Sequence, residues 1–488
     1  MRTYVRLSTL FAAVLAAGVL SAHASARPSP LAGHAQATID WRPCRDAPAE
    51  QCGTMRVPLD WARPRGEQVT LAVARRLASD PSHRIGTLFY NHGGPGESAV
   101  EYILHADVVF SRTLRDRFDL VGMDPRAVGG STRVTCSVPL LARDITLFPR
   151  TSAEFDRLLQ HNRAVGRSCL NRTGPLVGHV DTVTVARDHD ALRQALGEDR
   201  VSWLGLSYGT QLAANYAQLY PRRTRAMVLD AALEHSLPEV VQVADEALAA
   251  EDSFNRFLVW CRTAPSCALR GRDVGPLYDR LVARADREPT PVEGALRPVT
   301  GEDIRLGTIG LLRFKEPSIF GPDLSWAGLS RALQAALDGD ARAFALPPPT
   351  VPDDTPLIPI GCQEYVPQVH SYAQMRQRIR LGRELAPHLQ GATETWQVNR
   401  CIDWPVPPAN PPRALDVRGV PALIVHATHD PSVPYKWAHS LAAQIEGSAL
   451  LTRIGDGHTS SHTSACAIAA IDRYLVQPRA DADGVCRD

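Results

Sequence analysis

A five-residue turn limits the architectures open to this chain more than any other stretch: Gly205-Leu206-Ser207-Tyr208-Gly209. It lies between the apolar run Val201-Ser202-Trp203-Leu204 and a helical pattern from Thr210 to Tyr220. A G-x-S-x-G segment joining a strand to a helix is the sharp elbow that presents a serine hydroxyl. The serine backbone is strained there, and side chains two positions to either side would collide across the turn. A neutral hydroxyl is a poor nucleophile, so the turn predicts a base and an orienting acid elsewhere in the chain.

Other short apolar runs share the pattern of strand followed by turn. Residues 85–90 lead into Asn91-His92-Gly93-Gly94-Pro95-Gly96, 118–123 into Asp124-Pro125-Arg126, and 226–229 into Asp230. Near the end, 422–425 lead into His426 to Asp430, and 449–452 precede Gly455-Asp456-Gly457-His458. Such runs, bounded by turns, read as strands buried on both faces. Helical patterns between them, such as Asp188 to Leu196, predict a mainly parallel sheet covered by helices. In such sheets the chemistry sits beyond the strands' C-terminal ends. From 236 to 410 the alternation stops; Leu237 to Leu258 and Ser325 to Phe344 read as helical, among proline-rich stretches. The expected division is a first core segment at 27–235, a mostly helical cap at 236–410 and a returning core segment at 411–488.

Asp430 and His458 follow two of the late strands, in the order serine, acid, histidine that this architecture uses. They are the expected acid and base. Asp230 is the rival acid and His462 the rival base, while His426 and His429 read as loop or packing histidines. The glycine string after 85–90 lets the main chain approach a developing oxyanion. Its donors are expected to be the N–H groups of Tyr208 and Gly94, with Gly93 as alternate. Three loops thus predict an α/β-hydrolase fold carrying a serine hydrolase site.

Residues 1–26 read as an export signal. Arg2 and Arg6 precede an uncharged apolar run from Leu7 to Leu20, followed by Ala22-His23-Ala24 and Ala24-Ser25-Ala26. The run is short for a spanning helix, no cysteine follows it, and no later stretch is long and apolar enough to span. The expectation is a secreted, periplasmic or envelope protein without stable membrane insertion. The ten cysteines form no C-x-x-C pair, which disfavours zinc ribbons and redox sites and favours disulfides in an exported chain. Pairing sequential neighbours is the simplest assignment: 44–52, 136–169, 261–267, 362–401 and 466–486. Charge is balanced, 53 Lys+Arg against 52 Asp+Glu, so nothing marks a nucleic-acid surface. The sequence carries no metal or cofactor motif.

The chain resembles the secreted bacterial tripeptidyl aminopeptidases and related envelope serine proteases, relatives of the prolyl iminopeptidases. The likeness runs through Trp41-Arg42-Pro43-Cys44, Cys52 to Trp61, Gly93 to Ser98, Phe118 to Ser131, Leu206 to Thr210 and Thr428 to Pro431. The C-terminal part is similar to the domain specific to that group, and it holds both Asp430 and His458. The resemblance implies release of di- or tripeptides from free N-termini, under a cap that limits access. Such an enzyme must hold an ammonium group. Glu364 lies where relatives carry an acid just after Cys362, so the resemblance implies that it is the amine anchor, with Glu97 and Glu234 as rivals. One departure stands out: relatives read Asp-Pro-Arg-Gly, and this chain has Ala127 in the fourth place. The same machinery cleaves esters, so a carboxylesterase or lipase-like hydrolase is the alternative. A binding protein on a hydrolase scaffold would normally have lost a member of the set, and none is missing. Epoxide hydrolase or dehalogenase chemistry would need a carboxylate at the elbow.

Overall fold

The computed structural model describes residues 38–319, 321–348, 353–479 and 482–487; the export-signal segment 1–26 lies outside the described residues. Its frame is a ten-stranded sheet in the order β1-β2-β3-β5-β4-β6-β7-β8-β9-β10. The strands are β1 Arg42–Pro43, β2 Gln51–Pro58, β3 Gln68–Arg76, β4 Gly86–Asn91, β5 Phe118–Met123, β6 Val201–Leu206, β7 Thr224–Asp230, β8 Ala422–His429, β9 Ala449–Asp456 and β10 Gly484–Arg487. From β5 through β10 every pairing is parallel. β1, β2 and β3 pair antiparallel along one edge, and β3 meets β5 antiparallel.

The interior strands match their sequence signature. All six residues of β4 and all six of β6 are buried, because helices cover both faces and leave no polar side to alternate. The helix Tyr208–Leu219 is buried from Tyr208 through Ala217, so it shows little amphipathic contrast. The neighbouring helix Thr182–Ala195 starts where the Asp181 side chain accepts the N–H of Thr184 at 2.9 Å, an N-cap that satisfies an otherwise orphaned donor.

Among the described residues the chain adds no strand to this sheet between β7 and β8. It builds helices instead: Glu239–Thr263, Val274–Arg287, Gly301–Leu312, Trp326–Leu337, Leu357–Glu364 and Tyr372–Leu385. All but Leu357–Glu364 share a second hydrophobic core around Phe254, Phe257, Tyr278 and Trp326, which also takes in Phe148 and Phe155 from the first half of the chain; Ile358, Ile360 and Cys362 of Leu357–Glu364 pack into the core of the sheet instead. All ten cysteines pair as sequential neighbours, from Cys44–Cys52 to Cys466–Cys486. No helix among the described residues is long and apolar enough to cross a membrane.

Candidate active site

Ser207 follows β6 directly and has φ 53° and ψ −125°, backbone that an L-residue holds only when its surroundings over-determine it. Those surroundings are glycines. A Cβ on Gly205 would lie 2.3 Å from the Gly209 carbonyl oxygen, and one on Gly209 would lie 2.2 Å from that of Asn91. The collision expected from the motif is therefore real on both sides of the serine. Tyr208 is the first residue of its helix, so its N–H has no acceptor within that helix.

The turn after β4 lies against this elbow. A Cβ on Gly93 would meet Leu206 O at 2.6 Å and Tyr208 N at 2.9 Å. Gly93 is buried and Gly94 exposed. Both have φ above 100°, which glycine adopts without penalty. On its other side a Cβ on Gly96 would meet the Pro356 ring at 2.8 Å, so the helical insertion leans over the same turn.

Asp430 and His458 come together. Asp430 leaves the end of β8, and its Oδ1 accepts the N–H groups of Ser432 and Val433 at 2.8 and 2.9 Å, a local turn that fixes the carboxylate. Its Oδ2 lies 2.8 Å from His458 Nδ1. Both side chains are almost fully buried. Burial works to raise the Asp430 pKa, but the His458 charge and hydrogen bond outweigh it and hold the carboxyl below its usual range. With Nδ1 donating to Asp430, Nε2 is the nitrogen left to take a proton. The Ser207 hydroxyl makes no hydrogen bond to His458 or to any other described residue. Such contacts often form only once substrate is bound.

Asp230, the rival acid, has a different task. Its backbone oxygen accepts the N–H of Ser207 at 2.9 Å. Its carboxylate accepts those of Ser460, at 2.8 and 3.0 Å, and Ser461, at 2.7 Å. One residue at the end of β7 thus ties the elbow to the loop that carries His458. His462, the rival base, lies 3.4 Å from the Tyr90 hydroxyl, and burial pushes its pKa down to about 4. His426 spends both nitrogens, accepting from Ala232 N and donating to Val433 O. His429 pairs with Asp252 at 2.7 Å.

Glu364 ends the helix Leu357–Glu364 and is 0% exposed. It accepts from Thr182 N at 2.6 Å, Thr182 Oγ1 at 2.8 Å, Asn410 Nδ2 at 2.8 Å and Gln211 Nε2. Burial pushes its pKa up to about 7 despite these donors. Thr182 Oγ1 also lies 2.6 Å from the Tyr208 hydroxyl, which links this carboxylate to the residue after Ser207. Around it Gln211 Oε1, Asn410 Oδ1 and both amide atoms of Gln363 are buried without a protein partner. Glu234 is buried and occupied by Ser236 N and Gln444 Nε2. Glu97 is exposed on the glycine turn, and among the described residues its carboxylate has no hydrogen bond or ion pair. Nothing local in the sequence marks Thr182, Gln211 or Asn410 as neighbours of Glu364. Among the described residues no group of three or more His, Cys, Asp or Glu side chains could hold a metal ion.

This fold, with a strained serine at the elbow and a buried Asp–His pair beyond the neighbouring strand ends, defines a serine hydrolase. Residues 86–301 match the family model described as alpha/beta hydrolase fold, and 387–486 the model described as TAP-like protein. The chain is 32% identical over 462 residues to serine protease Hip1 of Mycobacterium tuberculosis, covering 86% of this chain and 85% of the relative. It is 29% identical to tripeptidyl aminopeptidase of Streptomyces lividans, covering 92% and 87%. It is 30% identical to carboxylesterase B of Mycobacterium tuberculosis, covering 89% and 87%. The chain belongs to the α/β-hydrolase family of serine enzymes that includes these tripeptidyl aminopeptidases.

Proposed function

We propose that the protein is an exported serine peptidase that releases di- or tripeptides from free N-termini through an acyl-enzyme on Ser207. The observation that carries this reading is the 2.8 Å Asp430–His458 contact at the ends of β8 and β9, joined through Asp230 to Ser207. In the proposed reaction His458 Nε2 takes the Ser207 proton as Oγ attacks the scissile carbonyl. The N–H groups of Tyr208 and Gly94 receive the negative charge on its oxygen. The proton passes to the leaving amine as the C–N bond breaks, and water, deprotonated by the same imidazole, hydrolyses the ester.

Glu364 is the proposed anchor for the substrate ammonium. What supports it is a buried carboxylate held by the amides of Gln211 and Asn410, whose own oxygens lack donors that an ammonium could supply. At 0% exposure it is reached only if the helical insertion parts from the core near Leu357–Glu364. The five disulfides suit an oxidising compartment and support export. Likeness to carboxylesterase B favours ester cleavage as the second reading.

The test compares a peptide amide bearing a free N-terminus with its N-acetylated form. Loss of hydrolysis on acetylation is expected, and indifference would favour the esterase. Ser207→Ala is expected to abolish turnover and labelling by a fluorophosphonate. Glu364→Gln is expected to remove the preference for the free amine; if Glu97→Gln does so instead, the anchor lies on the glycine turn.

A further inference from the structure

The loop that carries His458 is gripped from two sides. On the core side Asp230 holds Ser460 and Ser461, and Arg453 Nη2 donates to Asp456 O and Gly457 O at 3.0 and 3.1 Å. On the other side the contacts come from the helical insertion. Arg313, just past the helix Gly301–Leu312, accepts the backbone N–H of His458 itself at 2.6 Å. Two residues on, Lys315 Nζ donates to Asp456 Oδ2 at 3.0 Å. Arg256, from the helix Glu239–Thr263, donates through Nε to Asp456 Oδ1. Gly457 lies between, where a Cβ would sit 2.8 Å from Arg313 O; only glycine admits this close approach.

The Asp456 side chain is 4% exposed, while Arg256 and Lys315 are 39% and 38% exposed. A nearly buried carboxylate is thus bridged by two half-exposed cations from separate segments of the insertion. Removing partners from a buried charge is costly, whereas an exposed pair would be worth little. Burial works to raise the Asp456 pKa, but hydrogen bonds from Arg256 and Lys315 keep it below the usual carboxylate range.

We infer that Asp456 is a positioning residue for His458. Clamped by Arg256 and Lys315, it holds the N-terminal side of the loop so that the imidazole stays in register with Ser207. The base is therefore set only while the insertion is seated on the core. The insertion is part of the catalytic scaffold, and turnover depends on the clamp even for a substrate too small to touch the insertion. The inference rests on the reading of His458 as the base.

The test uses full-length protein and a small acetate ester. Lys315→Met and Arg256→Gln are each expected to lower kcat about ten-fold, and Asp456→Asn about 100-fold, with KM within about two-fold, as expected when a catalytic group is displaced without loss of binding. Lys315→Arg should restore wild-type kcat, and Lys315→Met combined with Asp456→Asn should be no slower than Asp456→Asn alone. The inference is overturned if folded Lys315→Met and Arg256→Gln keep full kcat, or if they raise KM alone. Should Asp456→Asn not fold, those two variants decide, since their side chains are half exposed. Ser207→Ala separates the two levels. If it stays active, the base reading and the clamp fall together; if it is dead while the clamp variants keep kcat, only the clamp falls.

Discussion

Ser207 and Ala127 both hold backbone that L-residues avoid, at φ 53° and 73°, and for different reasons. At Ser207 the strain lifts the hydroxyl of the proposed nucleophile out of the turn. At Ala127 the strain has no evident chemical use. Relieving it is worth about 1–2 kcal/mol, but glycine would lose a buried methyl worth about 0.8 kcal/mol and add about 0.5–1 kcal/mol of chain entropy. These offset, so Ala127→Gly should change stability in urea by less than about 0.5 kcal/mol, where an ordinary buried Ala→Gly costs more. A loss above about 1.5 kcal/mol would show that the left-handed geometry is not strained. Glu364 gives a pH prediction at the same scale. Its folded pKa, about 7 against a model value of 4.5, means the folded state binds the extra proton between those limits. Its contribution is fully present below about pH 4.5 and is lost as pH rises through 7. Buried histidines such as His235, at about 4, act in the opposite sense below pH 6.5, so the comparison must be against a variant. Wild type should lose up to about 3 kcal/mol relative to Glu364→Gln between pH 5 and pH 8. Parallel stability curves for the two proteins would mean the carboxyl titrates normally.

At the scale of elements, two helical glycines set propensity against packing. Alanine favours an open helix position by about 1 kcal/mol over glycine, so propensity alone predicts a gain at both Gly209 and Gly361. At Gly361 a Cβ meets nothing within 4 Å, whereas at Gly209 it strikes the Asn91 carbonyl at 2.2 Å. Gly361→Ala should therefore be neutral or stabilising, and Gly209→Ala should cost about 3 kcal/mol and abolish activity by pushing the β4 turn off the elbow. Thermal melts with an ester assay check both. The same contrast explains what could be read in advance. β4, β5, β6, β7 and β8 were legible because interior parallel strands need continuous apolar runs, β9 because Ala449-Leu450-Leu451 is apolar although its burial alternates, and the candidate residues Ser207, Asp430 and His458 because they follow those runs. β2 was not: its burial alternates, with Thr54 and Arg56 exposed between buried or half-buried neighbours, as an antiparallel strand with one solvated face allows. The Asp456 clamp was also hidden, since Lys315 and Arg256 lie 141 and 200 residues away along the chain.

Over the whole molecule, the insertion is stitched to the core beside the proposed chemistry. The helix Glu239–Thr263 reaches both strand ends beside the Asp–His pair, through Asp252 to His429 at the end of β8 and Arg256 to Asp456 at the end of β9, and through Asp245 to Trp437 on the helix Lys436–Ala442. Cys362 belongs to the helix that ends in Glu364, and its bond to Cys401 closes a separation of 39 residues. In the chain-entropy picture, opening a loop of that length costs about 4 kcal/mol. Replacing both cysteines by alanine should lower stability by that order. The cost has a functional side as well. The donors to Glu364 come from Thr182 and Gln211 on core helices and from Asn410, so a looser Leu357–Glu364 helix moves the carboxylate relative to them while Asp430 and His458 keep their strand-end supports. The double variant should therefore raise KM for a free-amino peptide while leaving kcat for a small acetate ester near wild type. Equal effects on the two substrates would mean that Glu364 serves the fold and that the ammonium is held elsewhere.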